Sequence, residues 1–247
     1  MNITDGSLTR NDELRAELRE ECLRDCSGAV VSIRQAMQAV AKNPTDVSKL
    51  QQLYSQMHSL AGNASVMRLL TIARVVGAFD ALLKQLVDKP DSNTQSVRRT
   101  MAQSIDLLGT LFEGDGREVD LVMARTLAVD DQQIALRSVM NALEKANLKS
   151  QALSDPSAGF SIAQEWQFDL IVLDHSMPGM TGTELCAKLR ALPNYKKTPI
   201  LFVTSASAFD NRAEICRSGA SDVIAKPFLA TELGLKALTL IIKSKIS

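Results

Sequence analysis

The sequence predicts two domains of different class: an amino-terminal four-helix bundle over residues 1–116 and a carboxyl-terminal doubly wound (βα)5 parallel sheet over residues 117–247, a multidomain α plus α/β chain. Three observations predict it. The 247 residues are long for one core and sufficient for two, because typical domains hold roughly 100–150 residues. From about Asn11 to Phe112 the apolar residues recur every three or four positions, glycine is sparse and no alternating run occurs, so this stretch reads as amphipathic helices. From about Arg125 onward, short β-branched or apolar runs alternate with helical patterns, as βαβ units require.

Four helical segments separate in the first half, at about 11–41, 46–64, 66–88 and 93–113. The breaks are Asn43-Pro44-Thr45-Asp46 and Lys89-Pro90-Asp91-Ser92-Asn93, turn chemistry ending in residues that cap helices, and a shorter interruption around Gly62 to Ser65. Short connections between amphipathic helices imply an up-and-down bundle. Glu113-Gly114-Asp115-Gly116 breaks the pattern and sets the domain boundary. In the second half the strands are Thr126 to Asp130, Lys149 to Leu153, Asp169 to Asp174, Pro199 to Thr204 and Asp222 to Lys226. Helices follow at about 132–146, 156–165, 181–191, 208–218 and 229–244. This order fits a small sheet of the flavodoxin-like kind, in which sites form at the carboxyl ends of the strands.

Composition narrows the function classes. Twenty-eight Lys and Arg balance 28 Asp and Glu, and 45% of residues are hydrophobic, so disordered and rod-like chains are excluded. Neither half is basic, with 13 basic against 14 acidic residues before Gly116 and 15 against 14 after it, which argues against nucleic-acid and membrane-surface partners. No apolar run reaches the roughly 20 residues that span a bilayer, and the polar amino terminus lacks an apolar signal core, which predicts a cytoplasmic protein. Cys22 and Cys26 lie four apart on one helix face without two further ligands nearby, and Cys186 and Cys216 sit in apolar helical patterns. All four read as reduced thiols rather than metal ligands or disulfides.

The strand ends of the second half carry the chemistry. Strand one ends in Asp130-Asp131, strand three in Asp174, strand four in Thr204 and strand five in Lys226, all on one edge. Three converging carboxylates repel one another unless a cation sits among them. Mg²⁺ suits the place because it accepts a few carboxylates and keeps water and phosphate oxygens as its other ligands. A lysine and a hydroxyl opposite such a metal can hold the remaining oxygens of a phosphoryl group, which makes this a phosphoryl-transfer site.

Val129-Asp130-Asp131, Leu173-Asp174-His175-Ser176-Met177-Pro178-Gly179-Met180-Thr181-Gly182, Thr204-Ser205 and Lys226-Pro227-Phe228, with separations of 44, 30 and 22 residues between Asp130, Asp174, Thr204 and Lys226, resemble the receiver domain of two-component response regulators. The resemblance implies that Asp174 is the phosphoacceptor, that Asp130, Asp131 and the Ser176 backbone carbonyl hold Mg²⁺ with it, that Thr204 contacts the phosphoryl group and that Lys226 neutralises it. It also implies a cis Lys226-Pro227 bond. His175 stands where that family usually has an apolar residue, and strand alternation points it away from the phosphoacceptor face, in a packing or surface role. Receivers usually carry Tyr or Phe three residues before the lysine; Val223 stands there, so the rotating aromatic switch is absent.

The first half contains the other histidine. At 100° per residue, Val47, Leu50, Tyr54, Met57, Ala61 and Ala64 form an apolar stripe centred near Met57, and His58 falls about 100° to one side, at the edge of the core. Its neighbours one turn away, Ser55, Ala61 and Gly62, are small and leave the imidazole accessible. His58-Ser59-Leu60-Ala61-Gly62-Asn63-Ala64 resembles the motif of the histidine phosphotransfer domain, a four-helix bundle with apolar, glycine and alanine residues two, four and six positions after the histidine. Two departures stand out: Ala61 replaces the lysine common three residues after the histidine, and Arg68 stands where glycine is common near the following turn.

Together these features predict a phosphorelay signalling protein rather than a metabolic enzyme. It would pass or store a phosphoryl group between His58, Asp174 and partner proteins such as a histidine kinase, with a homodimer allowed. The alternatives are a binding module whose helical half no longer carries phosphate, and the regulatory front end of a longer protein such as a cyclase-type regulator. A dehalogenase-type Mg²⁺ hydrolase fits less well, because its Asp-x-Asp spacing at the first strand is replaced by adjacent Asp130 and Asp131.

Overall fold

The computed structural model describes residues 28–114, 118–205, 215 and 217–246. The chain divides by its contacts into a helical unit, Met1–Asn93 with Met101–Glu118, and a sheet unit, Thr94–Thr100 with Val119–Ser247.

Four α-helices lie between residues 28 and 114: α1 (28–42), α2 (Val47–Val66), α3 (Leu70–Asp88) and α4 (Gln95–Glu113). Asp46 caps α2 as its sequence implies, its side chain accepting the Ser48 and Lys49 N–H groups. At α4 the cap is Thr94, whose Oγ1 accepts the Val97 N–H at 3.3 Å, and not Asn93. Asn93 instead closes the short 3₁₀ turn Pro90–Ser92 and donates from Nδ2 to the Pro44 carbonyl at 2.7 Å.

Two further expectations are corrected. The α2 helix runs through Gly62 to Val66, and the turn comes at Met67 to Leu69. One interior glycine costs about 1 kcal/mol against alanine, too little to end a helix that buries Leu60 before it and Ala64 after it. The buried face of α2 is Leu50, Leu53, Met57, Leu60 and Ala64, rotated from the predicted stripe, with Val47 exposed and Tyr54 and Ala61 half-buried. Two leucines offer more apolar area than Val47 and Ala61 and turn the helix toward themselves. Across from it, α3 buries Ile72, Val75, Val76, Phe79, Leu82, Leu83 and Leu86.

The α2 helix ends in a Schellman turn: Leu69 N–H donates to Ala64 O at 3.0 Å and Arg68 N–H to Ser65 O at 3.2 Å. That turn needs a left-handed residue, and Arg68 supplies it at φ 54°. Asn147, also at φ 54°, does the same after the first helix of the sheet unit, where a short polar side chain tolerates the conformation better.

In the sheet unit the chain runs β1 (Arg125–Val129), α5 (Gln133–Lys145), β2 (Lys149–Leu153), α6 (Pro156–Glu165), β3 (Leu170–Asp174), α7 (Gly182–Ala191), β4 (Ile200–Ser205), β5 (Asp222–Lys226) and α8 (Ala230–Ile246). The sheet is parallel throughout, in the order β2-β1-β3-β4-β5. The order reverses between β1 and β3, so the crevice of the doubly wound fold opens at their carboxyl ends. Central β3, Leu-Ile-Val-Leu-Asp, is buried along its whole length, the composition a strand covered on both faces requires. Edge strand β2 is the most exposed and polar of the five. The helix expected over 208–218 is described only at Ile215 and Arg217, both helical, and the turn residue Ser218. Cys186 packs in α7 as a buried free thiol, whereas Cys22, Cys26, Cys216 and residues 11–27 of the first expected helix lie outside the described residues.

Left-handed backbone costs a non-glycine residue roughly 1–2 kcal/mol. Replacing Arg68 by glycine is therefore expected to stabilise the protein by about 1 kcal/mol, seen as a higher urea midpoint at unchanged slope. A lower midpoint would show that the arginine side chain contributes more than its backbone costs.

Candidate functional site

Parallel register decides which strand ends meet. Val129 of β1 pairs with Leu173, Asp174 with Val203, and Ser205 with Lys226, so the ends of β1, β3, β4 and β5 share one edge. Asp130, expected as the last residue of β1, stands one residue beyond it, its N–H still donating to Leu153 O at 3.3 Å.

One carboxylate oxygen from each of Asp130, Asp131 and Asp174 lies within 4.8 Å of the others. Asp130 and Asp174 are almost fully buried, and Asp131 is half-buried. Lys226 bridges two of the three, its Nζ donating to Asp130 Oδ2 at 2.7 Å and to Asp174 Oδ1 at 2.6 Å. The other oxygens of these two acids accept backbone N–H groups, Asp130 Oδ1 from Gln132 at 2.9 Å and Asp174 Oδ2 from Ser176 at 2.7 Å. Asp131 Oδ1 is buried and has no hydrogen-bond partner. A buried anionic oxygen without a donor is costly, and here it points to a cation as its missing partner. The donor set, carboxylate oxygens alone, is the one hard divalent cations take, so the residues present fit Mg²⁺.

Burial disfavours the charged forms of Asp130 and Lys226. It pushes the Asp130 carboxyl above its ordinary range, in spite of the hydrogen bonds from Lys226 and Gln132. It also pulls on the Lys226 ammonium, but there the hydrogen bonds and charges of Asp130 and Asp174 outweigh it and hold Lys226 above its ordinary value. The lysine thus stays fully charged at neutral pH.

The remaining sequence-predicted residues take the following places. Thr204 is buried at the penultimate position of β4, beside Ala225 of β5. Ser176 is exposed just after Asp174. His175 is half-buried, its ring 6.3 Å from that of Phe202 and its Nδ1 3.2 Å from Ser176 Oγ. Val223 is buried in the core, and the Lys226-Pro227 bond is cis.

The loop from β3 to α7 carries two features that sequence reasoning used only as part of a motif. Thr181 and Glu184 form a reciprocal capping box that starts α7. Gly182 donates its N–H to His175 O at 3.0 Å, and a Cβ there would overlap the Asp174 carbonyl oxygen and approach the Phe202 ring to 2.8 Å. Only glycine lets the helix start that close to the strand end.

His58 lies in the helical unit with its side chain 67% exposed, and Gly62, one turn on, faces open space. Its Nδ1 is 3.1 Å from Asp80 Oδ1, and the Tyr54 ring lies 5.6 Å from the imidazole. Asp80 was not singled out from the sequence, since it lies 22 residues away on α3 and no motif links the two. With Asp80 accepting from Nδ1–H, the lone pair of the imidazole is left on Nε2.

Residues 126–238 match the family model of the response regulator receiver domain, and the carboxyl-terminal half of the chain is therefore a receiver domain. Among curated proteins, the transcriptional regulatory protein SrrA of Staphylococcus aureus is 33% identical over 115 residues, 47% of this chain and 46% of that regulator, so the chain matches less than half of its relative's length. Among solved structures, the chemotaxis response regulator CheY4 of Vibrio cholerae is 34% identical over 45% of this chain and 92% of its own, with a TM-score of 0.43. The receiver domain of a Pseudomonas aeruginosa sensor histidine kinase, solved with a magnesium ion coordinated in its active site cleft, is 24% identical over 44% of this chain and 90% of its own, with a TM-score of 0.42.

Gly182→Ala is expected to destabilise the protein by about 1–3 kcal/mol, the usual cost of overpacking, because the new methyl group meets backbone rather than a movable side chain. Urea denaturation of the two proteins measures it. An unchanged midpoint would mean that the β3–α7 loop relaxes freely and does not fix Asp174.

Proposed function

We propose that this chain, with a receiver domain over residues 126–238, is a phosphorelay signalling protein that accepts a phosphoryl group on Asp174. The observation that carries the reading is the carboxylate edge: three acids within 4.8 Å, one lysine bridging two of them, and one buried oxygen of Asp131 without a partner. Asp130, Asp131, Asp174 and the Ser176 backbone carbonyl are the groups that would hold Mg²⁺. When bound, the ion neutralises the carboxylates and the phosphoryl oxygens, lowering the repulsion a dianion meets at this edge.

An Asp174 carboxylate oxygen attacks phosphorus, forming an O–P bond as the P–N bond of a donor phosphohistidine breaks. The bonding pair stays on the imidazole nitrogen. Lys226 follows the charge, moving an ammonium hydrogen bond from Asp174 to a phosphoryl oxygen, and the Thr204 hydroxyl donates to another. The donor histidine belongs to a histidine kinase or another relay protein, or is His58 of a helical half built as a four-helix phosphotransfer bundle. For His58, the supporting observations are its exposure, the open space at Gly62 and the Asp80 contact that directs the free lone pair to Nε2. No described helix is long and apolar enough to cross a membrane.

Incubation with a small phosphodonor and Mg²⁺ should give base-labile acyl phosphate in the wild type and none in Asp174→Ala. Lys226→Arg should bind the phosphoryl mimic beryllofluoride more weakly, because a planar fork does not fit a site built for a compact ammonium. Label persisting in Asp174→Ala, or forming at the same rate in a chelator, would overturn the reading.

Phosphorylation at His58 is tested separately, by acid-labile, base-stable label after incubation with phosphorylated receivers. Asp80→Asn should slow it by about tenfold, the low end for a charge-assisted hydrogen bond that water partly screens. Absence of label at His58 from every donor would leave the helical half as a docking module.

A further inference from the structure

Away from the carboxylate edge, the sheet unit buries a second set of charges. Asp222, Glu232 and Lys236 are each 1% exposed, and the side chains that meet them come from Thr94–Thr100, the helical segment that belongs to this unit. Lys236 Nζ donates to Asp222 Oδ2 at 2.7 Å and Arg99 Nε to Asp222 Oδ1 at 3.1 Å. Ser96 Oγ donates to Glu232 Oε1 at 2.5 Å, with Thr100 Oγ1 3.5 Å from the same oxygen. Buried charges are kept only where each has partners, so these contacts need Arg99, Ser96 and Thr100 in place.

The strand they hold is β5, the edge strand whose last residue is Lys226. Asp222 anchors its start. Near its end the Ala225 N–H faces Ser96 Oγ at 3.5 Å, one residue before the lysine that bridges Asp130 and Asp174. Val223, within the same strand, offers no aromatic ring that could swing to report a change.

We propose that residues 94–100 are a clamp on β5, coupled to the carboxylate edge: the clamp favours the position in which Lys226 bridges Asp130 and Asp174, and a phosphoryl group at that edge loosens it. The proposal rests on the phosphoacceptor reading above and adds the element that senses it. A phosphoryl group draws Lys226 from the carboxylates toward its own oxygens, which asks β5 to move against the Ser96 contact near its end and the Asp222 anchor that Arg99 holds at its start. Linkage makes the effect reciprocal, so a weakened clamp must raise the affinity for the phosphoryl group by the factor with which that group weakens the clamp. Met101–Glu113 continue the same helix in the helical unit, so the clamp is where the change can pass along the chain.

The test uses the full chain with Mg²⁺ and beryllofluoride. In the wild type, beryllofluoride should speed backbone amide exchange in residues 96–100 and 223–226 by at least about fivefold, the lower range of allosteric coupling. Arg99→Ala, at a side chain 39% exposed, should bind beryllofluoride at least about fivefold more tightly. Arg99→Lys, which keeps the charge, should restore wild-type affinity. Unchanged exchange in the wild type, or equal affinity in Arg99→Ala and wild type, overturns the clamp and leaves the phosphoacceptor reading standing. Failure of the wild type to bind beryllofluoride overturns that reading, and the clamp with it.

Discussion

Carboxylates forced onto one edge of a sheet raise each other's energy, and burial multiplies the effect because little water is left to screen them. In the sheet unit the answer is a single lysine that crosses the edge. β5 lies two strands from β3, about 10 Å at ordinary strand spacing, and only a long flexible side chain from its end spans that gap to reach both Asp174 and Asp130. Strand order, the shared carboxyl edge and the placement of Thr204 on the intervening strand are all conditions for that contact. Asp131 is the acid Lys226 does not reach, and its bare Oδ1 is what makes the edge a site rather than a closed ion pair.

The two nucleophile candidates are held in opposite ways. Asp174 is buried, fixed by a backbone N–H, a lysine and the close approach of Gly182, so its chemistry depends on what is admitted to a preformed crevice. His58 stands out from a helix into solvent, beside one carboxylate and flanked by small groups, with no crevice of the described residues closed around it. Ala61, one turn from the imidazole, offers no cation beside it.

The charges around Asp222 follow another logic. Burial works against the Asp222 carboxylate, yet Lys236 and Arg99 hold its carboxyl below the ordinary range, whereas Glu232, with hydroxyl donors nearest, is pushed up by burial. Such groups add little net stability over apolar packing, but a shifted strand would leave each buried charge without its partner, which is strongly unfavourable. That is a useful property on an edge strand, where an unpaired row of N–H groups would otherwise accept another chain.

Strand positions, the parallel edge and the gathering of Asp130, Asp131, Asp174 and Lys226 were legible in the sequence. β-branched runs alternating with helical periods permit few topologies, and parallel strands must end on one side. Local signals sufficed for Asp46 as a cap and misled at Asn93, where a 3₁₀ turn took the residue and Thr94 capped the helix. Periodicity located the apolar side of α2 but not its angle, because Leu53 and Leu60 are weighed against Val47 and Ala61 only when α3 packs on them. Asp80 beside His58, and Ser96 and Arg99 on β5, were invisible from the sequence. Each contact spans 22 or more residues and joins types that are ordinary on any helix surface. Only packing brings such residues together and removes the water that would make their charges unimportant.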